Sequence, residues 1–390
     1  MPGIYVLKGV VKHYDWGGNS FIPALLQVPN TPGKPFAEYW LGIHPLGTAL
    51  VDTGGSTGTE LSVLTPNLPF LLKILDVKEM LSIQVHPDKQ TAAEQFAAEE
   101  AAGIPADAGN RNYKDPNHKP ELSVALGDFW LLHGFKSREG IIDSLQQVSG
   151  LEELLPVFQE KGHTGLYQHI MQMPQTAVNQ MLEPVLAGLT GRYHEKKPEK
   201  SEADYWVMKA TRNHESGMDI DRGIFSIYLM NIVYLKKGEG IFQEPGVLHA
   251  YLEGQIVEIM SNSDNVLRGG LTTKHIDIKE LLRNVQCEGM QPDILVGDPV
   301  NEHEQIYHTP YPDFTLRKIE LEAGDTYSFL PEQAELILLT SGKTELDDDR
   351  IALPLKAGSP AALVFPGETV YLAAASKSTI FRASGTVNNG

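Results

Sequence analysis

Three separated segments of this chain carry side chains that could bind a cation or move a proton. In Leu81-Ser82-Ile83-Gln84-Val85-His86-Pro87-Asp88-Lys89 an extended strand puts Ser82, Gln84 and His86 on one face and Ile83 and Val85 on the other. The run Tyr113 to Glu121 leads into Leu122-Ser123-Val124-Ala125-Leu126, where Leu122, Val124 and Leu126 form an apolar face. Glu121 and Ser123 then point the opposite way, and Lys119 shares their face. A carboxylate inside a barrel is costly to desolvate unless a cation meets it. In the third segment, the Pro245-Gly246 turn delivers His249 to the start of a strand with Tyr251 on its own face.

Each signal alone has a plainer explanation. A Gln-x-His pair fits a hydrogen-bonded strand end, Glu121 fits a solvent-facing strand, and a single histidine is commonly structural. Together, three segments present oxygen or nitrogen donors at strand starts, and the only cysteine, Cys287, excludes a thiolate cluster and an intramolecular disulfide. Gln84, His86, Glu121 and His249 make a shell of two oxygens and two nitrogens that Zn²⁺ accepts. With one carboxylate in the shell, a divalent ion keeps about one net positive charge, which suits polarising a substrate oxygen. A fourth segment runs from Glu258 to Lys274. Glu258 lies inside an apolar strand, so it is either paired or poised with a shifted pKa. Arg268, beside Gly269 and Gly270, can grip a phosphate or carboxylate through two donors, although an arginine in isolation is more commonly in a salt bridge. Lys274 in isolation reads as solvated.

These segments need strands to position them, and the rest of the chain supplies the pattern. Gly 36 and Pro 25 of 390 residues exceed the usual ~12%, which favours turn-rich β structure. Apolar or alternating runs at Tyr5 to Val11, Tyr39 to Ile43, Phe70 to Leu75, Leu81 to His86, Leu122 to Leu126 and Phe129 to Phe135 predict a sandwich or barrel, interrupted by a helix over Thr91 to Ala102. Between Ser137 and Leu235 the period changes: Val178, Met181, Leu182, Val185, Leu186 and Leu189 make a helical stripe, and Leu151 to Phe158, Leu166 to Met173 and Ala203 to Ala210 behave alike. The charged run His194 to Glu202 reads as a solvated connection. After Gly238 strands return through Glu258, a short helix follows over Ile278 to Val285, and alternation from Thr315 to Ser384 marks a second β unit. The fold class expected is mainly β with an inserted α-helical subdomain.

The charge balance is 32 Lys plus Arg against 50 Asp plus Glu, a formal net of −18, which argues against binding nucleic acid or anionic lipid. Locally the sign reverses: Arg111 to Lys119 is net +2 and Asn262 to His275 is net +1. An anionic small molecule is therefore acceptable within an acidic surface. No apolar stretch reaches the length of a spanning helix, and Met1 to Val11 has no leader pattern, so a cytoplasmic protein is expected.

Gln84 to Lys89, Asn117 to Glu121, Pro245 to Tyr251 and Ser263 to Thr272, with Tyr14-Asp15-Trp16-Gly17 and Ala37 to Gly42, resemble the type I phosphomannose isomerases over roughly residues 5 to 320. The resemblance implies cupin-type jelly-roll barrels with an inserted helical subdomain. The expected division is 1–136 plus 236–312 as a discontinuous catalytic cupin, 137–235 as the helical insertion and 313–390 as a C-terminal cupin-like unit. It implies one Zn²⁺ per chain on Gln84, His86, Glu121 and His249, and conversion of D-mannose 6-phosphate to D-fructose 6-phosphate. Arg268, Glu258, Lys119 and His118 are the expected catalytic groups, with His118 reaching the site only if the Pro120 turn redirects it. Ser82, Tyr251, Asp264, Lys274 and Trp16 are expected to bind a small sugar phosphate, in a monomer with no membrane or nucleic-acid partner. The rivals are a cupin Fe(II) oxygenase, since His86, Glu121 and His249 also form a two-His-one-carboxylate set, and a sugar-binding cupin without activity.

Overall fold

A computed structural model describes residues 3–385 apart from 32, 56, 194–196 and 216. The first three residues of the charged run His194 to Glu202 thus lie outside the described residues. The architecture is mostly antiparallel sheet, with helices gathered between Arg138 and Leu229. Strands form at Glu38–His44, Phe70–Val77, Ile83–Val85, Glu121–Ala125 and Phe129–Phe135, close to the apolar runs that predict them. The strand pattern expected from Gly240 to Glu258 forms two strands, Gly240–Gln243 and His249–Ser261, with the Pro245-Gly246 turn between them and His249 at the start of the second. Short helices at Phe21–Leu26 and Gly223–Leu229 lack a long apolar stripe and were not legible in the sequence.

One strand organises the site. His249–Ser261 is 13 residues long, and its two halves join different neighbours. The first half pairs with Phe129–Phe135 and meets Ile83–Val85, with His249 opposite both His133 and Gln84. From Gly254 onward it pairs with Phe70–Val77 on one side and Glu121–Ala125 on the other. The change of partner falls between Glu253 and Gly254. Gly254 has φ of +123°, and a Cβ there would stand 2.4 Å from the Asp128 carbonyl oxygen, so only glycine fits this corner.

Alternation then sorts the side chains. Phe70, Leu72, Ile74, Leu122, Val124, Val257 and Ile259 point into one core, which they share with Leu336, Leu338, Leu363 and Phe381 of the C-terminal sheet. The opposite faces of the same strands turn inward and carry Lys73, Glu121, Ser123 and Glu258. Ile83 and Val85 are buried in a second core, with Leu145, Phe158, Tyr167, Trp206 and Phe225 of the helical segment. Gln84 is left facing the site. The strand Ile4–Lys8 pairs with Ala361–Val364 and so sits in the sheet of the C-terminal residues.

Because the core around Leu338 is shared, the two β units should unfold together. Leu338→Ala should cost about 2–5 kcal/mol. The tryptophans lie at 16, 40, 130 and 206, away from Leu338 in the sequence. Their fluorescence midpoint in urea should nevertheless fall with the far-UV signal, whereas an unmoved tryptophan midpoint would show two independent units.

Candidate active site

Strand register builds the centre. Arg268 lies opposite Gln84, and Gln84 opposite His249, so the three side chains stand in one row. A second row runs Trp40, Lys73, Glu258 and Ser123 over four strands. Glu121 begins the strand that carries Ser123.

His86, Glu121 and His249 are fully buried, and their donor atoms lie within 4.8 Å of one another. His86 Nε2 is 3.5 Å from Glu121 Oε1, and His249 Nε2 is 3.4 Å from Glu121 Oε2. Ligands about 2.1 Å from a tetrahedral cation stand about 3.4 Å apart. The backbone fixes both imidazoles in the required form: His86 Nδ1 donates to the Asn265 carbonyl at 2.7 Å and His249 Nδ1 to the Val247 carbonyl at 3.1 Å. Each Nε2 therefore turns a bare lone pair to the centre. His86 Nε2 and Glu121 Oε2 are buried without a hydrogen-bond partner among the described residues, an arrangement that costs free energy unless something completes it. The Gln84 amide nitrogen is 3.2 Å from His249 Nε2. Turning that amide over presents its oxygen instead, the donor a cation would take. The donor set fits a zinc ion.

The electrostatics agree. Burial holds His86 down to about 4, so it stays neutral near pH 7. Burial alone would raise the Glu121 carboxyl, but its neighbours, Lys119 foremost, outweigh it and hold Glu121 well below the usual carboxylate range. Lys119 Nζ is 3.0 Å from Glu121 Oε1.

Glu258 is both paired and poised. Its Oε1 accepts from Lys73 Nζ at 3.2 Å and its Oε2 from the Tyr251 hydroxyl at 2.7 Å. Burial and the neighbouring Glu121 push its pKa up, and Lys73 offsets them only in part. Burial opposes the charge on Lys73, but Glu258, Glu38 and Glu121 overcome it and hold the ammonium above its ordinary value. Lys73 was missed from the sequence because it was read as part of the apolar run Phe70 to Leu75. The signal was present: a lone charge on the face opposite Leu72 and Ile74.

The expected residues separate into groups. Gln84, His86, Glu121, His249, Lys119 and Glu258 converge. Tyr251 is buried, with its hydroxyl spent on Glu258 and on Ser123 Oγ at 2.7 Å. His118 Nε2 bonds Asp313 at 3.0 Å and its ring meets Tyr311, so its polar end is engaged with the C-terminal connection. Asp264 receives His44 Nε2 at 3.2 Å. Trp16, Ser82 and Lys274 line a cavity of about 880 Å³ beside the centre, whose far wall is made by the helical segment. Arg268 is half-buried, and among the described residues no carboxylate pairs with it. Lys274 is exposed and repelled by Arg268 and Lys114. The local positive charge rests on these groups, because Arg111 is spent on Glu99 and Glu100 and Lys119 on Glu121. Asp88 is a helix cap, accepting from Thr91 N at 2.8 Å.

Stability of the metal-free protein should fall with acid. His86 and His133 are both lowered by burial to about 4, so between pH 6.5 and 4 the unfolded chain takes up protons the folded chain refuses. Glu121, depressed in the fold, adds a loss of the same sign at lower pH. Urea unfolding in chelator should show a decline of up to ~3 kcal/mol per histidine over that window. A flat profile would count against neutral, buried imidazoles.

Comparison with known proteins places this geometry. Residues 4–138 match the family model "Phosphomannose isomerase type I, catalytic domain". The mannose-6-phosphate isomerase of Salmonella typhimurium is 35% identical, over 90% of this chain and 92% of the relative. The Escherichia coli enzyme is 33% identical over 93% of each chain. A solved Salmonella typhimurium structure, described as bound to its substrate, fructose 6-phosphate, and to zinc, superposes with TM-score 0.85 at 30% identity, covering 98% of this chain and 99% of that one. With that identity sustained along nearly its whole length, the chain belongs to the family of type I phosphomannose isomerases, the mannose-6-phosphate isomerases.

Proposed function

We propose that this chain interconverts D-mannose 6-phosphate and D-fructose 6-phosphate, with one zinc ion on Gln84, His86, Glu121 and His249. The observation that carries the reading is a donor set whose buried atoms lack partners among the described residues, beside Arg268, with which no described carboxylate pairs. The relatives' names and the substrate- and zinc-bound Salmonella typhimurium structure support an isomerase over an Fe(II) oxygenase or an inert sugar-binding cupin. Gln84 adds a fourth donor where oxygen chemistry would want an open position.

Bound zinc would polarise a substrate oxygen as a Lewis acid. The chain's own groups do the rest. Once the ring is open, the proton at C2 of the aldose is acidified by the neighbouring carbonyl. Glu258, whose pKa is raised by burial, takes that proton and returns it to C1 of a cis-enediol, while a second proton passes from O2 to O1. Lys73 and Tyr251 hold its two oxygens. Lys119 is the second candidate for this transfer, and a hydride shift is the alternative route. Arg268 meets the phosphate or the developing oxyanion, with Lys274 and Ser82 beside it. Partial burial and then the charge of Arg268 oppose the Lys274 ammonium, so an anion nearby would stabilise it.

The antiparallel sheets and the strand shared across a glycine corner support a cupin-type jelly roll for 1–136 plus 236–312. In this division 137–235 is the helical insertion and 313–390 a second cupin-like unit, although Ile4–Lys8 lies in the C-terminal sheet and Met230–Leu235 pairs with Phe129–Phe135. A cytoplasmic monomer completes the reading. No helix among the described residues is long and apolar enough to cross a membrane.

A coupled fructose 6-phosphate assay should show activity that chelation abolishes and zinc restores. Oxygen uptake with iron, or inertness with full zinc, would reject the reading. Arg268→Ala should lower kcat/KM by about 10²–10³-fold, the scale of a lost transition-state contact, with the thermal midpoint little changed. Glu121→Gln should lose zinc and activity together, whereas Glu258→Gln should keep zinc and lose kcat.

A further inference from the structure

The helical insertion reaches the turn between Arg268 and Lys274 through one carboxylate. Asp221 precedes the helix Gly223–Leu229 and accepts three backbone N–H groups. Its Oδ1 takes Gly223 N at 2.7 Å and Leu271 N at 2.9 Å, and its Oδ2 takes Thr272 N at 2.9 Å. Two of those donors belong to the turn that follows Arg268-Gly269-Gly270.

That turn holds an unfavourable shape. Leu271 has φ of +52°, a left-handed conformation that a residue with a Cβ adopts only when its surroundings hold it there. Gly270 and Gly223 touch backbone to backbone: a Cβ on Gly270 would stand 2.5 Å from Gly223 Cα, and one on Gly223 would stand 2.6 Å from Leu271 N. The contact leaves no room for a side chain on either partner. From Leu271 the chain continues through Thr272, whose Oγ1 accepts Lys274 N at 3.1 Å. The turn thus sets the spacing of Arg268 on one side and Lys274 on the other. On the insertion side, Arg222 is bonded to the Met171 carbonyl, at the end of the helix Leu155–Gln172, so the segment carrying Asp221 is itself anchored.

We propose that Asp221 is a positioning residue: it clamps the Gly270–Thr272 turn so that Arg268 and Lys274 present a preformed site for the substrate's phosphate. The helical insertion thereby sets phosphate affinity without touching phosphate. This deepens the isomerase reading and rests on it. Electrostatics makes the test sharp, because a carboxylate beside an anion site repels the anion. If Asp221 acted through charge alone, removing it would tighten phosphate binding. Acting through position, its removal loosens binding.

The experiment measures KM for fructose 6-phosphate and competitive inhibition by inorganic phosphate on the zinc-loaded full chain. Asp221→Ala should raise both constants about tenfold or more, with kcat within about threefold and zinc content unchanged. Asp221→Asn keeps an acceptor for Gly223 and Leu271 but opposes an amide to the Thr272 N–H. It should fall between, and it carries the test if the alanine variant does not fold. Asp219→Ala removes the same charge from the same cavity wall and should leave KM unchanged or lower. Unchanged or tighter phosphate inhibition in both Asp221 variants overturns the proposal while wild-type activity keeps the isomerase reading. A wild-type protein that neither isomerises the sugar phosphate nor is inhibited by phosphate overturns both.

Discussion

A carboxylate with almost no exposure to water has to be compensated on every side, and Glu121 is that group. Its charge is answered by the Lys119 ammonium at one oxygen, while two neutral imidazoles within 3.5 Å turn lone pairs to the same centre, which a bound cation would compensate. Leaving such a charge unpaired costs several kcal/mol, so the surrounding strands are held to the register that brings the partners in. A slip of one residue in Glu121–Ala125 would bury Ser123 and Glu121 in the apolar core and push Leu122 and Val124 into the cavity. The same register that makes the hydrophobic core therefore makes the site.

Two loops keep the compensation in place. Asn265 is fully buried and spends its amide on the segment ahead of Glu121, accepting from Lys114 N and donating to the carbonyls of Asp115 and Asn117. Its own carbonyl takes the Nδ1 proton of His86. One side chain and one peptide unit thus connect the approach to Glu121 with the orientation of a histidine on another strand. The motif around Asn265 matters for this bracing as much as for any group it offers a ligand.

Much of this was legible in the sequence where a period of two could be read. The split of Glu121 from Leu122 and of Gln84 from Val85 follows from alternation, and the burial of Leu122, Val124, Ile83 and Val85 agrees with it. Lys73 escaped because five apolar neighbours masked one polar face. The hydrogen bond from His118 to Asp313 depends on two residues 195 positions apart, which no local pattern encodes. Nor could the sequence show that Arg111 is consumed by Glu99 and Glu100, so a count of local charge included a residue whose charge is spent elsewhere. The bridge from Asp221 to Leu271 and Thr272 was invisible for the same reason.

The pairing of Ile4–Lys8 with Ala361–Val364 has a consequence for how the molecule is made. Ile4 meets Val364, Tyr5 meets Leu363 and Val6 meets Ala362. During synthesis the first strand waits for a partner translated some 360 residues later, at about 5–20 residues per second. For that interval Leu7 and Lys8 can meet Val51 and Leu50, but Ile4 to Val6 have no native neighbour on the side that Ala361–Val364 will take, and closing that pair carries one of the largest loop entropies in the fold. Completion of the C-terminal sheet is thus the late event that withdraws this edge from other chains, and truncations near residue 360 would expose a hazard at the opposite end of the sequence.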